Sequence, residues 1–391
     1  MFDNLRNNSK IVVYIVVAAF IVTGGLMGFG SYMTQNSGSN RATQSQYIAQ
    51  VNDKGITPEQ YLSVLRSNAS QASNLTQTQV IPFRLNVLNA MIEREILLTE
   101  ADEMDINVEV TDQEIEEEID EILEQNDMTK EELEENLSSQ EYTYEQFKND
   151  IRLNMVNSKK VNKVKQSTYS NIEVGEEEIK NRYEELYGES EDKPELEEVR
   201  TNIKENLLNE KQNQAYNNWL ENKKTEANVI INDPILFAYN ALDKGNYQVA
   251  IDSFKNLIDS ENTSVSIYTY LAQAYSGAEQ YEQASDIYDT AIEEFSENWE
   301  LRLNYGDYLA ERGQKEQATE QYLNASEQAG SNIYAHYQLF MAFNNIGAND
   351  EAEKEMDKIS EIQQKSQETE QQTEETEDTP TSIEEEIESN Q

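Results

Sequence analysis

Residues that commonly carry chemistry are scarce in this sequence. Its 391 residues include no cysteine and a single histidine, His336. This composition excludes disulfides, thiol catalysis and cysteine-ligated metals, and His336 has no second histidine or cysteine with which to share a metal ion. We therefore expect His336 to be packed or exposed in the ordinary way. The sequence predicts no catalytic, cofactor-binding or metal-binding residue.

Carboxylates are the one abundant reactive group. The chain has 76 Asp and Glu residues against 30 Lys and Arg, a formal net charge of −46. Clusters such as Glu114, Glu116, Glu117 and Glu118 indicate a solvated helix surface, because catalytic carboxylate pairs need a pocket that shifts their pKa values and nothing in the sequence marks one. The charge argues against nucleic acid and anionic lipid headgroups as partners.

Two sources for this acidity remain open. We favour a halophile's protein, in which dense carboxylates keep the surface hydrated and salt screens their mutual repulsion. The alternative is an acidic protein from a mesophile.

An uncharged run of twenty residues, 11–30, determines where the rest of the chain works. A helix rises about 1.5 Å per residue, so this run can cross a hydrocarbon core of roughly 30 Å. Arg6 and Lys10 precede it, which places the N-terminus in the cytoplasm by the positive-inside rule. We expect a single-pass signal anchor in the cytoplasmic membrane. The alternative is a cleaved signal peptide, for which Gly28 and Gly30 supply small residues.

Helix signals fill residues 47–232. Capping boxes, in which a threonine and a Glu or Gln three residues later satisfy each other's backbone N–H groups, start at Thr57, Thr111, Thr129 and Thr143. A stripe at helical spacing follows Pro82, formed by Leu85, Leu88, Ile92 and Ile96. We expect such stripes to pack against neighbouring helices, and a client-binding groove is the alternative.

These segments resemble a known family. The stretches MFDNLRNNSK, IAQVNDKGITPEQY, VLNAMIEREILLTEADEMDINVEVTDQEIEEEI and EYTYEQFKNDIRLNMV are similar to the N-terminal chaperone module of the SurA, PpiD and PrsA group of extracytoplasmic foldases. The membrane-anchored PpiD-like arrangement is the most similar. The resemblance implies a retained anchor and a helical body in which residues 48–51 pair with residues 229–231.

One part of the family pattern is missing. Related foldases place a parvulin-type prolyl isomerase domain, with histidines lining its site, between two helices that correspond here to residues 174–187 and 196–227. Only eight residues, GESEDKPE, separate Tyr187 from Leu196, which suits a turn and not a domain. We therefore expect a chaperone module without an isomerase.

The second half of the chain repeats itself. Alanines recur every 34 residues, at Ala250, Ala284, Ala318 and Ala352. This spacing is the period of the tetratricopeptide repeat (TPR), a pair of helices. Aromatic residues follow the first three alanines by four positions, at Phe254, Tyr288 and Tyr322. The fourth unit fits less well, as terminal repeats often do, and the sequence predicts about four helix pairs.

The family resemblance implies that the first helix of each pair lines a concave, partner-binding face. Counting from the repeat register, the candidate residues are Tyr239, Thr269, Gln273, Leu303, Asp307, Tyr337 and Met341. Packing between helices is the alternative role for each aromatic residue. No Lys or Arg stands at these positions, so the carboxylate-clamp variant that grips an acidic C-terminal peptide is not supported.

Together these signals predict an all-α fold with a small two-stranded sheet. The expected segments are a cytoplasmic head (1–10), a transmembrane signal anchor (11–30), a linker (31–46), a SurA-like helical chaperone domain (47–232), TPR-like repeats (233–359) and a disordered acidic tail (360–391).

The expected function is non-enzymatic. The chain would be a membrane-anchored extracytoplasmic chaperone, a holdase or assembly factor, that binds unfolded or newly secreted polypeptides and reaches an envelope protein partner through its repeats. A scaffold subunit of a cell-envelope complex is the first alternative, and a diverged prolyl isomerase is the second.

Overall fold

The computed structural model describes residues 46–68, 72, 75–139, 141–188, 190, 193–260 and 263–377, with side chains as far as residue 367. The expected head, anchor and most of the linker lie outside the described residues, as does the end of the expected tail. Within the described ranges no helix is both long and apolar enough to cross a membrane.

The described chain is mostly helical and divides into two compact units. The N-terminal unit contains the described residues up to 74 and Phe83–Leu236. The repeat unit contains Leu75–Pro82 and the described residues from Phe237 onward. The repeat unit is therefore discontinuous in sequence, which the pattern of repeats did not predict.

The N-terminal unit combines short strands with helices. Its strands are β1 (Ala49–Val51), β2 (Lys54–Ile56) and β3 (Val229–Ile231). Its helices are α1 (Pro58–Ser67), α2 (Gln77–Glu103), whose first turns belong to the repeat unit, α3 (Asp112–Gln125), α4 (Lys130–Ser138), α5 (Tyr144–Tyr169), α6 (Glu176–Tyr187) and α7 (Leu196–Glu226).

The described sheet has three strands where two were predicted. Strand β1 lies in the centre and pairs antiparallel with β3, so Ala49 faces Ile231 and Val51 faces Val229, as the resemblance implied. The additional strand, β2, pairs with the other edge of β1. Asn52 has a φ of 53° and turns the chain between β1 and β2. The resemblance implied the pairing of β1 with β3 but not this additional strand.

All four predicted capping boxes are present. In each, the threonine hydroxyl accepts a hydrogen bond from the backbone N–H three residues later, and the Glu or Gln at that position accepts one from the threonine N–H. Helix α2 differs from the prediction because it begins at Gln77, so Pro82 lies inside it. Its stripe Leu85, Leu88, Ile92 and Ile96 is buried as expected.

The core of the N-terminal unit consists of several small clusters. Ile115, Ile119, Leu133, Leu137 and Phe147 join α3, α4 and α5. Leu97, Ala101 and Val164, with Tyr216 and Trp219 against them, join α2, α5 and α7. Because these clusters are small, much of the surface of the long helices is exposed to solvent.

Helices α6 and α7 form a hairpin. Ile179 and Tyr183 of α6 pack against Ile203 and Leu207 of α7. The Tyr183 hydroxyl donates to the carbonyl of Pro194 in the connection. The two helices that flank the isomerase domain in the related foldases are therefore in direct contact here.

Four helix pairs follow in the repeat unit. They are α8 (Pro234–Asp243) with α9 (Tyr247–Asp259), α10 (Val265–Gly277) with α11 (Tyr281–Glu294), α12 (Trp299–Glu311) with α13 (Lys315–Gln328), and α14 (Ile333–Ile346) with α15 (Asn349–Glu377). The alanines at the repeat period are 0 to 2% exposed, and the aromatic residues four positions later are buried as well.

The last described helix differs from the expected disordered tail. Helix α15 continues to Glu377, so residues 360–377 are helical where disorder was expected. Its last buried apolar residue is Ile359. Residues 378–391 lie outside the described residues.

Candidate protein-binding surfaces

A segment of the same chain lies against the first helices of the repeat pairs. Residues of Leu75–Pro82, which include the first turn of α2, contact side chains on α10, α12 and α14. These are the first helices of three successive pairs. The contacts are mostly hydrogen bonds to the backbone of Gln77 and Thr78.

Glu300 makes the central contact. Its carboxylate accepts hydrogen bonds from the backbone N–H of Gln77 at 2.9 Å and of Thr78 at 2.8 Å, and a further one from the Thr78 hydroxyl. The first N–H groups of a helix have no partner within the helix and carry the positive end of its dipole. Glu300, only 4% exposed, therefore caps α2 from another helix.

Pro82 explains a second contact. A proline has no N–H, so the carbonyl four residues before it loses its bond within the helix. That carbonyl belongs to Thr78, and the Tyr270 hydroxyl donates to it. Desolvation by burial, with Tyr239 and Glu300 nearby, raises the pKa of Tyr270 above its ordinary value. The hydroxyl thus keeps the proton it donates.

The contacts follow the repeat period. Ser266, Glu300 and Tyr334 are 34 residues apart and occupy one position in three successive repeats. The Ser266 hydroxyl donates to the carbonyl of Gln77 at 2.6 Å, and Gln79 donates to the Tyr334 hydroxyl at 3.2 Å. We call Ser266, Tyr270, Glu300 and Tyr334 the clasp residues.

Among the described residues, none of the predicted groove residues forms a hydrogen bond with Leu75–Pro82. Thr269, Leu303 and Tyr337 stand three positions after Ser266, Glu300 and Tyr334, about one helical turn away. Tyr239 supports the site indirectly, since its ring packs on that of Tyr270 with 4.6 Å between centroids.

Some of the predicted groove residues are buried in packing contacts, and others are exposed. Thr269 is fully buried and its hydroxyl lacks a hydrogen-bond partner, and Leu303 belongs to the core of the array. Asp307 accepts a hydrogen bond from Tyr322 at 2.8 Å, and Gln273 is exposed. Tyr337 and Met341 on α14 are 50% and 42% exposed. Their role in binding an external partner stays a prediction.

Sequence reasoning missed all four clasp residues. Two signals were present. The first is that the positions three residues before Thr269, Leu303 and Tyr337 follow the same 34-residue period, and the second is the spacing of Thr78 and Pro82. Neither could be interpreted from sequence alone, because nothing local indicates that residues 75–82 belong with residues 237 onward.

The N-terminal unit has a separate surface cleft of about 250 Å³ beside α5. Ile151 and Met155 form its apolar wall, and its other lining residues are polar: Glu118, Asn154, Ser158, Lys159 and Asn162. Asparagine and serine side chains both donate and accept, as a peptide backbone does. The cleft is smaller than a typical small-molecule pocket, and its chemistry suits a short stretch of extended polypeptide.

A second cleft of about 140 Å³ is more polar and already satisfied. Lys223 pairs with Glu100 at 2.8 Å within it and also with Glu226. A charge pair of this kind leaves little unmatched chemistry for a ligand. The cleft beside α5 is therefore the better candidate for binding a peptide.

His336 lies in a buried polar cluster at the end of the array. Its Nδ1 is 2.6 Å from a carboxylate oxygen of Glu355, and its Nε2 is 2.9 Å from the carbonyl oxygen of Gly330. Each ring nitrogen of His336 thus lies beside an oxygen atom. Among the described residues no group of three or more His, Cys, Asp or Glu side chains is placed to hold a metal ion.

Comparisons with known proteins agree with this architecture. Residues 1–161 match the family model described as the SurA-like N-terminal domain, and residues 268–327 match the family model described as YpiA-like, C-terminal tetratricopeptide repeats. The chain thus carries a SurA-like N-terminal domain and C-terminal TPRs. These are domains of chaperone-like and protein-interaction proteins.

Comparisons with individual proteins are less informative. No curated protein matches this chain. Among solved structures, one titled "Crystal structure of MamA" is 22% identical, covers 35% of this chain and 81% of its own, and superposes with a TM-score of 0.28. That score is too low to support an inference.

Proposed function

We propose that this chain, which joins a SurA-like domain to TPRs, is a membrane-tethered chaperone that holds unfolded or newly translocated polypeptides outside the cytoplasm. In this proposal the N-terminal unit binds clients and the repeat unit binds protein partners. Catalysis is not part of the proposal, and neither matched family model describes an enzyme.

The observation that carries the proposal is the cleft beside α5. It offers an apolar wall at Ile151 and Met155 and amide groups at Asn154 and Asn162. A holdase must bind many sequences, which requires contacts to the backbone and adaptable apolar contacts rather than a shaped side-chain pocket. Methionine is unbranched and polarisable and fits varied partners.

Composition supports the same role. Moderate apolar contact lets a holdase release as well as bind, and a net charge of −46 keeps a chaperone and its exposed client in solution. The same net charge disfavours the anionic surfaces of nucleic acids and membranes.

Membrane tethering rests on the sequence. Residues 11–30 form an uncharged run preceded by Arg6 and Lys10, and the match to the SurA-like family begins at residue 1 and includes this run. The tether would concentrate the chaperone where translocated chains emerge. We expect the chain to remain in membranes after carbonate extraction, and recovery in the soluble fraction would contradict the tether.

Two other functions remain as alternatives. A scaffold subunit would use both units to join an envelope complex and would bind no unfolded client. A diverged prolyl isomerase would speed proline-limited refolding at low enzyme concentration. In the related foldases, however, the isomerase domain lies between the two helices that correspond to α6 and α7, and these helices are in direct contact here.

Photo-crosslinking in cells separates a chaperone from a scaffold. A crosslinking amino acid at Asn154 or Asn162 should capture many newly translocated proteins, each in small amount. The same group at Glu145, exposed at the start of α5, serves as the control and should capture few. One or two products in stoichiometric amount at Asn154 would instead establish the scaffold.

A further inference from the structure

We propose that the clasp residues form a receptor for the start of an α-helix that carries a threonine and, four residues later, a proline. Leu75–Pro82 occupies this receptor within the chain, and a helix start of the same chemistry from another polypeptide can take its place. The proposal rests on the part of the proposed function that assigns partner binding to the repeats, and it does not depend on holdase activity.

The first argument is the chemistry of Glu300. This carboxylate is almost fully buried, and it accepts hydrogen bonds from two backbone N–H groups and one hydroxyl, all from Gln77 and Thr78. A buried carboxylate needs donors to offset its lost hydration. A helix start supplies two adjacent unpaired N–H groups and a favourable dipole. Glu300 therefore selects a helix start.

The second argument is the proline. Within a regular helix the carbonyl of Thr78 would accept from the N–H of residue 82, but Pro82 has none. Tyr270 donates to the freed carbonyl. Both backbone groups of Thr78 thus find their partners in the repeat unit, and the pair Thr78 and Pro82 forms a recognisable pattern of threonine, three residues and proline.

The third argument is the register. Ser266, Glu300 and Tyr334 present one side chain from each of three successive repeats, and they contact Gln77, Thr78 and Gln79. The repeat spacing of the array therefore sets the spacing of these three side chains. The few residues of a helix start are enough to contact all three. This is a different use of the concave face from gripping the carboxylate end of a peptide.

The segment is held in a way that permits exchange. Gln77, Gln79 and Val80 are exposed, and Ile81 is the one buried side chain among Gln77–Pro82. The clasp residues contact the segment through hydrogen bonds. Each such bond contributes modestly to binding, because water replaces it on release.

The test uses the full chain and a labelled peptide with the sequence LTQTQVIPFRLN, residues 75–86. Thr78→Pro in the chain removes a donor N–H and the hydroxyl from the internal segment, while proline is tolerated in the first turn of a helix. We expect the peptide to bind the Thr78→Pro chain at least tenfold more tightly than the wild type by fluorescence anisotropy. Equal binding to both chains, or binding to neither, would overturn the proposal.

Two further variants locate the binding. Adding Glu300→Gln to the Thr78→Pro chain should weaken peptide binding at least tenfold, whereas Glu297→Gln, at an exposed position nearby, should leave it unchanged. Unchanged binding with Glu300→Gln would contradict the proposal. Circular dichroism melts of each variant show whether the repeats are folded at the assay temperature.

A peptide with Pro82→Ala tests the role of the proline. Its Thr78 carbonyl regains a partner within the helix, so Tyr270→Phe in the chain should reduce its affinity little. The same substitution should reduce affinity for the original peptide about fivefold or more. Equal losses for both peptides would rule out recognition of the proline pattern. Aggregation suppression by the Glu300→Gln chain should stay at the wild-type level, which separates failure of this proposal from failure of the holdase.

Discussion

Glu355 is a buried carboxylate at the end of the array with three hydrogen-bond partners. It is 2% exposed and accepts hydrogen bonds from Ser326, from His336 and from Lys358. Burial alone would raise the pKa of Glu355, but these hydrogen bonds outweigh it and hold the pKa below its ordinary value of 4.5. Three helices of the last two repeats meet at this one side chain.

Removing this charge should loosen the end of the array. Glu355→Gln removes the carboxylate that accepts from Ser326, His336 and Lys358, and a buried polar group left without its partner costs about 1 to 3 kcal/mol. We expect a lower Tm for the cooperative unfolding of the repeats, measured by circular dichroism. Glu353→Gln, exposed on the same helix, is the control and should stay within about 0.5 kcal/mol of the wild type.

The same residue gives a pH dependence. A carboxylate whose pKa is lower in the folded than in the unfolded state stabilises the fold above its ordinary pKa, and this stability is lost as the pH falls. The wild type should therefore lose more of its unfolding free energy than Glu355→Gln between about pH 5 and pH 3. Parallel losses in the two proteins would show that Glu355 contributes no such linkage.

At the residue scale, local signals were predictable and distant ones were not. The capping threonines Thr57 and Thr111 were identified because their partners lie three residues away. Glu300 was not identified, because its partners lie more than 200 residues earlier in the chain. A buried glutamate looks like any surface glutamate until the fold places a helix start beside it.

At the scale of elements, Gly306 sets the distance between α12 and α13. A methyl group at this position would come within 2.3 Å of the Tyr322 ring, which is buried. We expect Gly306→Ala to destabilise the repeats by about 1 to 3 kcal/mol through overpacking, although alanine favours helix. A urea unfolding curve measures this, with Glu311→Ala, exposed on the same helix, as the control. A more stable Gly306→Ala protein would mean that the helices can move apart freely.

Strand pairing and helix boundaries show which elements could be predicted from the sequence. The pairing of β1 with β3 followed from the resemblance, and the helix pairs of the array followed from a period that every repeat restates. The stripe that predicted α2 begins only after Pro82. At the observed start, Gln77, the backbone N–H groups of Gln77 and Thr78 donate to Glu300, and the side chain of Gln79 accepts from the N–H of Thr76. The extension of α15 to Glu377 was missed because its polar composition favours disorder.

At the scale of the whole molecule, the repeat unit needs a segment from far upstream. A fragment of residues 237–391 lacks Leu75–Pro82, so Ser266, Tyr270 and Glu300 lose their partners. We expect the repeats in this fragment to melt at a lower temperature than in the full chain. Added peptide of residues 75–86 should raise the fragment's Tm in a dose-dependent way, because a ligand that binds only the folded state stabilises it. A peptide with Thr78→Pro is the control and should have little effect.

Suppression of aggregation is the measurement that tests the central claim most directly. The full chain, in salt that gives cooperative melting, is mixed with a chemically unfolded substrate diluted from denaturant, and light scattering is followed. We expect scattering to fall at ratios from substoichiometric to equimolar. The double variant Asn154→Asp, Asn162→Asp should lose most of this effect, since carboxylates cannot donate to a client backbone. The matched control Asn149→Asp, Gln125→Asp, at exposed positions outside the cleft, should keep it. Undiminished aggregation with the wild-type chain would contradict the account.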